Sequence, residues 1–402
     1  MGYDIASVRA QFPALAEGAA HFDGPGGTQT PRAVADAVAG ALTGAIANRG
    51  VVTRAERRAE DIVAGCRAAL GDLLGADPAG IVFGRSMTAL TYDLARTLAK
   101  DWSAGDEVIV TRLDHDANVR PWVQAASAAG ALARFADFDP TTGELAPDDI
   151  AAHLSATTRV VAVTAASNLI GTKPDIPAIA RLVRERSDAL LYVDGVHFTA
   201  HESVDLKASG ADFWACSPYK FLGPHCGALA ADPALLQRLR PDKLLPATDQ
   251  VPERFELGTL PYELMAGATA AVDFLADLAG VAAGTRRGRL VAAYAAIRRH
   301  EETLRSRLEP TLRDLPGVVV YSNAERRTPT LLFTVEGWDP QDLRVDLASR
   351  WVNAPAGNFY ALECAHHLGL GDAGGVRIGL APYSSEEDVD RLLEALREIL
   401  LR

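Results

Sequence analysis

The sequence predicts an α/β protein built on a mainly parallel, doubly wound sheet, with a smaller α+β unit after it. Two observations carry that expectation. Short apolar, β-rich runs at Ile81–Gly84, Glu107–Thr111, Arg159–Thr164, Leu190–Val193 and Phe213–Ser217 alternate with helix-period stretches, the pattern of strands joined by crossover helices. After Gly258-Thr259 the texture changes to two long helices, 263–279 and 286–308, followed by strands at 318–321 and 330–334. A division near Gly284 follows: a leading segment over 1–20 that packs with the small unit, a large domain over 21–284 and a small domain over 285–402. Another strand at Val376–Leu380 and an amphipathic helix over 385–401, with Glu386 and Glu387 in its first turn, close the chain.

Composition narrows the class of function. The 402 residues are 48% hydrophobic and 23% charged, enough for a large core in two domains. A net charge of -12 argues against nucleic-acid or anionic-membrane partners and for a small-molecule substrate. There is no apolar run of membrane-spanning length and no signal-peptide pattern at the start, so a cytoplasmic protein is expected. Cys66, Cys216, Cys226 and Cys364 are widely spaced, which suggests reduced, mostly buried thiols rather than a disulfide framework or zinc site.

In order, the chain opens with a short helix at 5–10 and a brief strand at 20–23. Gly24-Pro25-Gly26-Gly27-Thr28 follows as a turn with little side-chain bulk, suited either to close approach of a ligand or to a plain loop. Helices over 31–47 and 54–74 read as scaffold. The strand at Ile81–Gly84 then turns through Arg85-Ser86-Met87-Thr88 into a helix. Such a junction offers free N–H groups and a positive dipole end, suited to a phosphate, or simply a Ser or Thr N-cap. His115 follows the next strand, where it stacks on a flat heterocycle or caps a loop. Asn168 follows the strand after that.

Leu190–Val193 delivers Asp194 to the sheet edge, a buried carboxylate in need of a cation. Beyond Phe213–Ser217, Lys220 sits among Pro218, Tyr219, Phe221 and Leu222. Burial lowers a lysine pKa, the usual way an amine becomes able to form a Schiff base. Only five of the 40 basic residues are lysines, so a lysine in an apolar segment stands out. The other reading is an amine that snorkels to water. Thr88, His115, Asn168, Asp194 and Ser217 all fall at carboxyl ends of predicted strands, where open α/β sheets bind ligands.

The blocks HFDGPGGTQTPRAV, IVFGRSMTAL, DHDAN, SNLIGT, VDGVH, CSPYKFLGP, RFELGT and VRIGLAPYSSEEDVDRLL, in that order, resemble the class V aminotransferase superfamily of pyridoxal-phosphate enzymes. The similarity is strongest to its cysteine desulfurase and selenocysteine lyase branch and runs from about residue 20 onward. It implies fold type I, pyridoxal 5'-phosphate as cofactor, and a homodimer with active sites at the subunit interface. It makes Lys220 the Schiff-base lysine, Asp194 the partner of the pyridine nitrogen and His115 the stacking residue. Met87, Thr88 and Ser217 match phosphate donors, and Thr259 a threonine that reaches the partner's phosphate. Asn168 and His197 match contacts to the ring hydroxyl, and Arg377 the arginine that holds a substrate carboxylate.

Departures from the pattern bear on the reaction. His197 stands where desulfurases have glutamine, and Tyr219 where they have histidine. The loop that carries their sulfur-accepting cysteine is matched by Pro355–Ala361, which puts Tyr360 at the cysteine position; Cys364 lies four residues later. The spacing of His197 and His201 resembles a zinc pair but lacks a third ligand, so no metal is expected. The expected activity is β-elimination of a sulfur or selenium substituent from an amino acid without a persulfide cysteine. Transamination, epimerisation of the isopenicillin N type and a cofactor-binding protein with a decayed site are the alternatives.

Overall fold

In the computed structural model, which describes residues 3–281 and 283–400, all five expected apolar runs of the first domain form strands of one sheet. Its spatial order is Ile81–Gly84, Gly227–Ala231, Phe213–Cys216, Leu190–Asp194, Thr158–Thr164, Glu107–Thr111 and Leu132–Ala136. Gly227–Ala231 runs antiparallel to both neighbours, and the other six strands are parallel. The apolar runs are continuous because both sheet faces are covered. Val161, Val163, Leu191 and Val193 enter the core on one face, and Val160, Ala162 and Tyr192 enter the core on the other. Two strands escaped the sequence pattern. Leu132–Ala136 is a half-exposed edge, and Gly227–Ala231 is built of glycine, alanine and leucine, with little β propensity of its own.

The helices take their limits from local chemistry. Arg54–Leu74 begins at a capping box in which Thr53 accepts from Glu56 N–H and the Glu56 side chain reaches back to Thr53 N–H; it ends on Gly75 in the left-handed conformation. Val63, Leu70, Leu73 and Leu74 bury its apolar face in the core below the sheet. Among the described residues no helix is long and apolar enough to cross a membrane.

The second unit is a four-stranded antiparallel sheet in the order Ala356–Gly357, Gly375–Gly379, Thr330–Val335 and Val318–Val320. The Glu386–Leu400 helix contributes Val389, Leu392, Leu396 and Ile399 to its core. The helix Arg286–Arg313 joins the two units. Its residues Leu290, Tyr294 and Ile297 lie in the large core, and Leu304, Leu308 and Leu312 in the small one. The leading segment touches both units. Phe12 packs on Phe274 and on Tyr383, and Arg9 pairs with Asp388 at 2.7 Å. Ala20–His21 pairs with Val352–Asn353, so the start of the expected large domain is stitched to the small one.

Candidate active site

A cavity opens at the carboxyl edge of the large sheet, where the parallel strands release their chains. Met87, Thr88, His115, Asn168, Asp194, His197, Ser217 and Lys220 line it. Arg377 lies in an adjoining outer chamber of about 510 Å³, with Phe359 and Tyr360. Of the ten residues singled out from the sequence, nine converge here. Thr259 is exposed and lies outside both linings in this chain.

The Met87–Ala99 helix supplies one wall. Ser86 caps it, its hydroxyl accepting from Ala89 N–H at 3.1 Å, and the backbone N–H groups of Met87 and Thr88 in the first turn are left for a ligand. The Ser86 cap and an open anion site therefore coexist. Gly227 faces this turn so closely that a Cβ would stand 2.3 Å from the Ser86 carbonyl carbon and 2.4 Å from Met87 N.

His115 likewise does two things. Its Nδ1 accepts from Ala117 N–H at 3.0 Å, which leaves the proton on Nε2, while the ring lines the cavity. Burial, with Lys220 and Arg377 nearby, drives its pKa down to about 4, so the imidazole is neutral. Beneath it a buried network fixes the turn: Asp114 accepts from Thr111 and, at 2.6 Å, from Asn118, which in turn accepts from Trp122 at 3.1 Å.

Asp194 accepts from Val196 N–H at 2.9 Å through Oδ1. Burial raises its pKa to about 6, against the pull of that hydrogen bond and Lys220, so it remains mostly ionised at neutral pH. Lys220 ends a short turn over Pro218–Lys220, and its Nζ donates to the Pro25 carbonyl. Burial and the Arg377 charge lower its pKa to about 7, partly countered by Asp194. About half the amines are then free bases at neutral pH, as a nucleophile requires. The glycine-rich turn at 24–27 is thus part of the site. A Cβ on Gly26 would stand 3.4 Å from the Arg377 guanidinium.

Among the buried polar side-chain atoms that have no hydrogen-bond partner within the protein are Asn168 Oδ1, His197 Nδ1 and Arg377 Nε of this site. The other ends of these side chains are pinned. Asn168 Nδ2 donates to Phe359 O at 3.0 Å, His197 Nε2 meets the hydroxyls of Thr328 and Thr330 at 3.0 and 2.9 Å, and Arg377 donates to Asn168 O at 2.9 Å. Arg377 is 1% exposed with no carboxylate on it. Burial lowers its pKa to about 9. An unpaired buried guanidinium is costly and calls for an anion. Thr328 and Thr330 carried no signal in the sequence, since they lie more than 130 residues from His197.

The Pro355–Ala361 loop crosses the mouth. Phe359 and Tyr360 have φ of 54° and 59°, a conformation that costs a non-glycine residue about 1–3 kcal/mol each. Cys364 follows on the Leu362–His367 helix. Its thiol is fully buried, outside both chamber linings, and burial raises its pKa. The pair His366-His367 ends that helix, and His367 Nε2 donates to Phe138 O at 2.7 Å.

The sequence profile described as Aminotransferase class-V matches residues 20–392. The chain belongs to the class-V aminotransferase family. Among its relatives are an aminotransferase-like protein, FGM3, of Gibberella zeae, 32% identical over 99% of both chains, and a probable cysteine desulfurase of Pseudomonas aeruginosa, 30% identical over 96% of both. The fold superposes on the Escherichia coli cysteine desulfurase CsdA with a TM-score of 0.86 and 25% identity over the full length of both chains.

Class-V aminotransferases of this kind are enzymes that depend on pyridoxal 5'-phosphate. The cavity suits that group by its own chemistry. Free N–H groups at a helix start match a phosphate, an ionised Asp194 matches a protonated ring nitrogen, and the orphaned Asn168 Oδ1 and His197 Nδ1 match a ring hydroxyl. The depressed pKa of Lys220 matches an amine that attaches the cofactor covalently.

Proposed function

We propose that this protein is a pyridoxal-phosphate-dependent lyase that acts at the α-carbon of an amino acid and expels a sulfur- or selenium-bearing β-substituent, without lodging the sulfur on a thiol of its own. What supports this reading is the chemistry at the mouth: by the sequence resemblance Tyr360 stands where desulfurases carry their cysteine, it lines the outer chamber, and Cys364 is buried outside both chamber linings. A phenol with a pKa near 10 is no substitute for a thiolate.

In this reading the cofactor, when bound, withdraws electrons from bonds at the substrate Cα. Arg377 binds the carboxylate through its free edge. Asp194 holds the proton on the ring nitrogen, and His115 packs against the ring face. Met87, Thr88 and Ser217 hold the phosphate, while Asn168 and His197 take the ring hydroxyl. Lys220 Nζ carries the proton at Cα. For a cysteine conjugate the balance is R–S–CH2–CH(NH3+)–COO− plus water giving R–SH, pyruvate and ammonium.

The protein would work as a cytoplasmic homodimer. Supporting this are the exposed Thr259 beside Leu257 (59% exposed), and Val51 and Val52 on a segment that Arg49 ties to Glu253 at 3.2 Å. Light scattering on the cofactor-loaded protein tests the dimer.

The reaction is tested by product analysis with L-cysteine and S-substituted cysteines. Pyruvate with free thiol is expected, no sulfur adduct by mass spectrometry, and the same release from Cys364→Ala. A persulfide on Cys364, with release lost in the variant, would restore the ordinary desulfurase route. Amine accumulating on the cofactor or inverted stereochemistry would instead mark a transaminase or an epimerase.

A further inference from the structure

Phe359 and Tyr360 hold their left-handed conformation because their surroundings fix it. Asn168 Nδ2 donates to Phe359 O, and Asp116 N–H donates to Tyr360 O at 2.7 Å. Tyr360 N–H donates to Asn358 Oδ1 at 3.0 Å. The conformation aims both rings at the site. Phe359 lies face-on to the Arg377 guanidinium, 3.7 Å from its carbon to the ring centre. Tyr360 leans on His115, ring centres 5.7 Å apart at 31°. Tyr360 is 75% exposed and lines the outer chamber with Tyr92 and Tyr219.

The charges of that chamber are mostly spent. Arg120 is bound to Asp116 at 2.7 Å and to Glu363, and Lys220 to the Pro25 carbonyl. Lys220 and Arg377 each meet only a backbone carbonyl, and no carboxylate pairs directly with either; in the reading above Lys220 is committed to the cofactor, so Arg377 is left for one carboxylate and the chamber offers no second free cation to an acidic side chain. What it offers the rest of the substrate is aromatic surface.

We propose that the site takes α-amino acids bearing an aromatic or long apolar side group, which Tyr360, Tyr92 and Tyr219 receive, and that Phe359 is a positioning residue that holds Arg377 for the carboxylate. This rests on the reading of Arg377 and Lys220 given above. Stacking and apolar burial on the tyrosines favour such a group, whereas an unpaired second carboxylate loses its hydration without return.

The test is a titration of the cofactor-loaded protein, followed by the change in its visible absorbance, with L-alanine, L-aspartate and S-benzyl-L-cysteine. S-benzyl-L-cysteine is expected to bind about tenfold tighter than L-alanine, and L-aspartate no tighter than L-alanine. Tyr360→Asn, whose side chain tolerates the left-handed region, is expected to bring the benzyl-to-alanine ratio close to one. Phe359→Leu is expected to weaken all three ligands by a similar factor, with Phe359→Tyr restoring them. Equal binding of all three to the unaltered protein, or a ratio that Tyr360→Asn leaves in place, overturns the inference and spares the cofactor site. No response to any amino acid overturns the site reading as well.

Discussion

The inner cavity and the loop that closes it are built on opposite principles. Asp194 ends a buried strand and Met87 and Thr88 open a helix, while His115, Asn168, His197, Ser217 and Lys220 stand within four residues of a strand's carboxyl end, so the sheet fixes where each side chain begins. The loop at 355–361 has two short bridges to the small sheet and two residues in left-handed conformation. Its position is set by hydrogen bonds from Asn168 and Asp116, which belong to the other domain. The regular region suits chemistry common to a whole family, because its geometry survives much sequence change. The strained region is where one member can differ from the next, since a few side chains redirect it.

Substitutions separate the two. The largest effect is expected from Lys220→Ala, which should abolish covalent attachment of the cofactor and cut turnover by at least about 10²–10⁴-fold through loss of the proton carrier alone. Absorbance after denaturation and dialysis checks the attachment. A covalent adduct that persists would move the chemistry to another amine. Gly227→Ala comes next. Its methyl cannot fit beside Ser86 and Met87, and overpacking of about 1–3 kcal/mol at the phosphate turn should weaken cofactor binding about tenfold or more. Unchanged affinity by equilibrium titration would remove the phosphate from that turn. Loop variants such as Tyr360→Asn should keep their cofactor, which is the contrast the comparison demands.

A smaller effect follows from acidity. Lys220 has its pKa depressed to about 7, so it is charged below that pH and a free amine above it. The rate at which cofactor-free protein captures pyridoxal 5'-phosphate should therefore rise with pH and level off near pH 8. At pH 6 it should run at about one-tenth of the plateau, the neutral fraction one unit below the pKa. A rate still climbing toward pH 10 would mean an amine with an ordinary lysine pKa and a hydrated environment.

Much of the inner site could be read directly. Strands with both faces buried leave continuous apolar runs, and these located Asp194, Ser217 and the turn into Met87-Thr88 to within a residue or two. The resemblance to known family blocks then gave Lys220, His115 and Arg377 their parts. What escaped was long-range. The helix Arg286–Arg313 looked like the start of a domain and instead spans two cores, because a single amphipathic period does not say which neighbour each turn will meet. Gly227–Ala231 carries no β signal, yet it closes against the Ser86-Met87 turn because small residues permit that approach.

The sequence by itself determined the fold class, the sheet edge that carries the chemistry and the chemical identity of its groups, since burial periodicity and strand-end position are local properties. Only the tertiary structure decided that Thr328 and Thr330 pin His197, that Pro25 receives Lys220, and that Phe359 and Tyr360 lie against Arg377 and His115. Those contacts join residues far apart in the chain, and a left-handed backbone at two non-glycine positions is stable only where distant partners hold it.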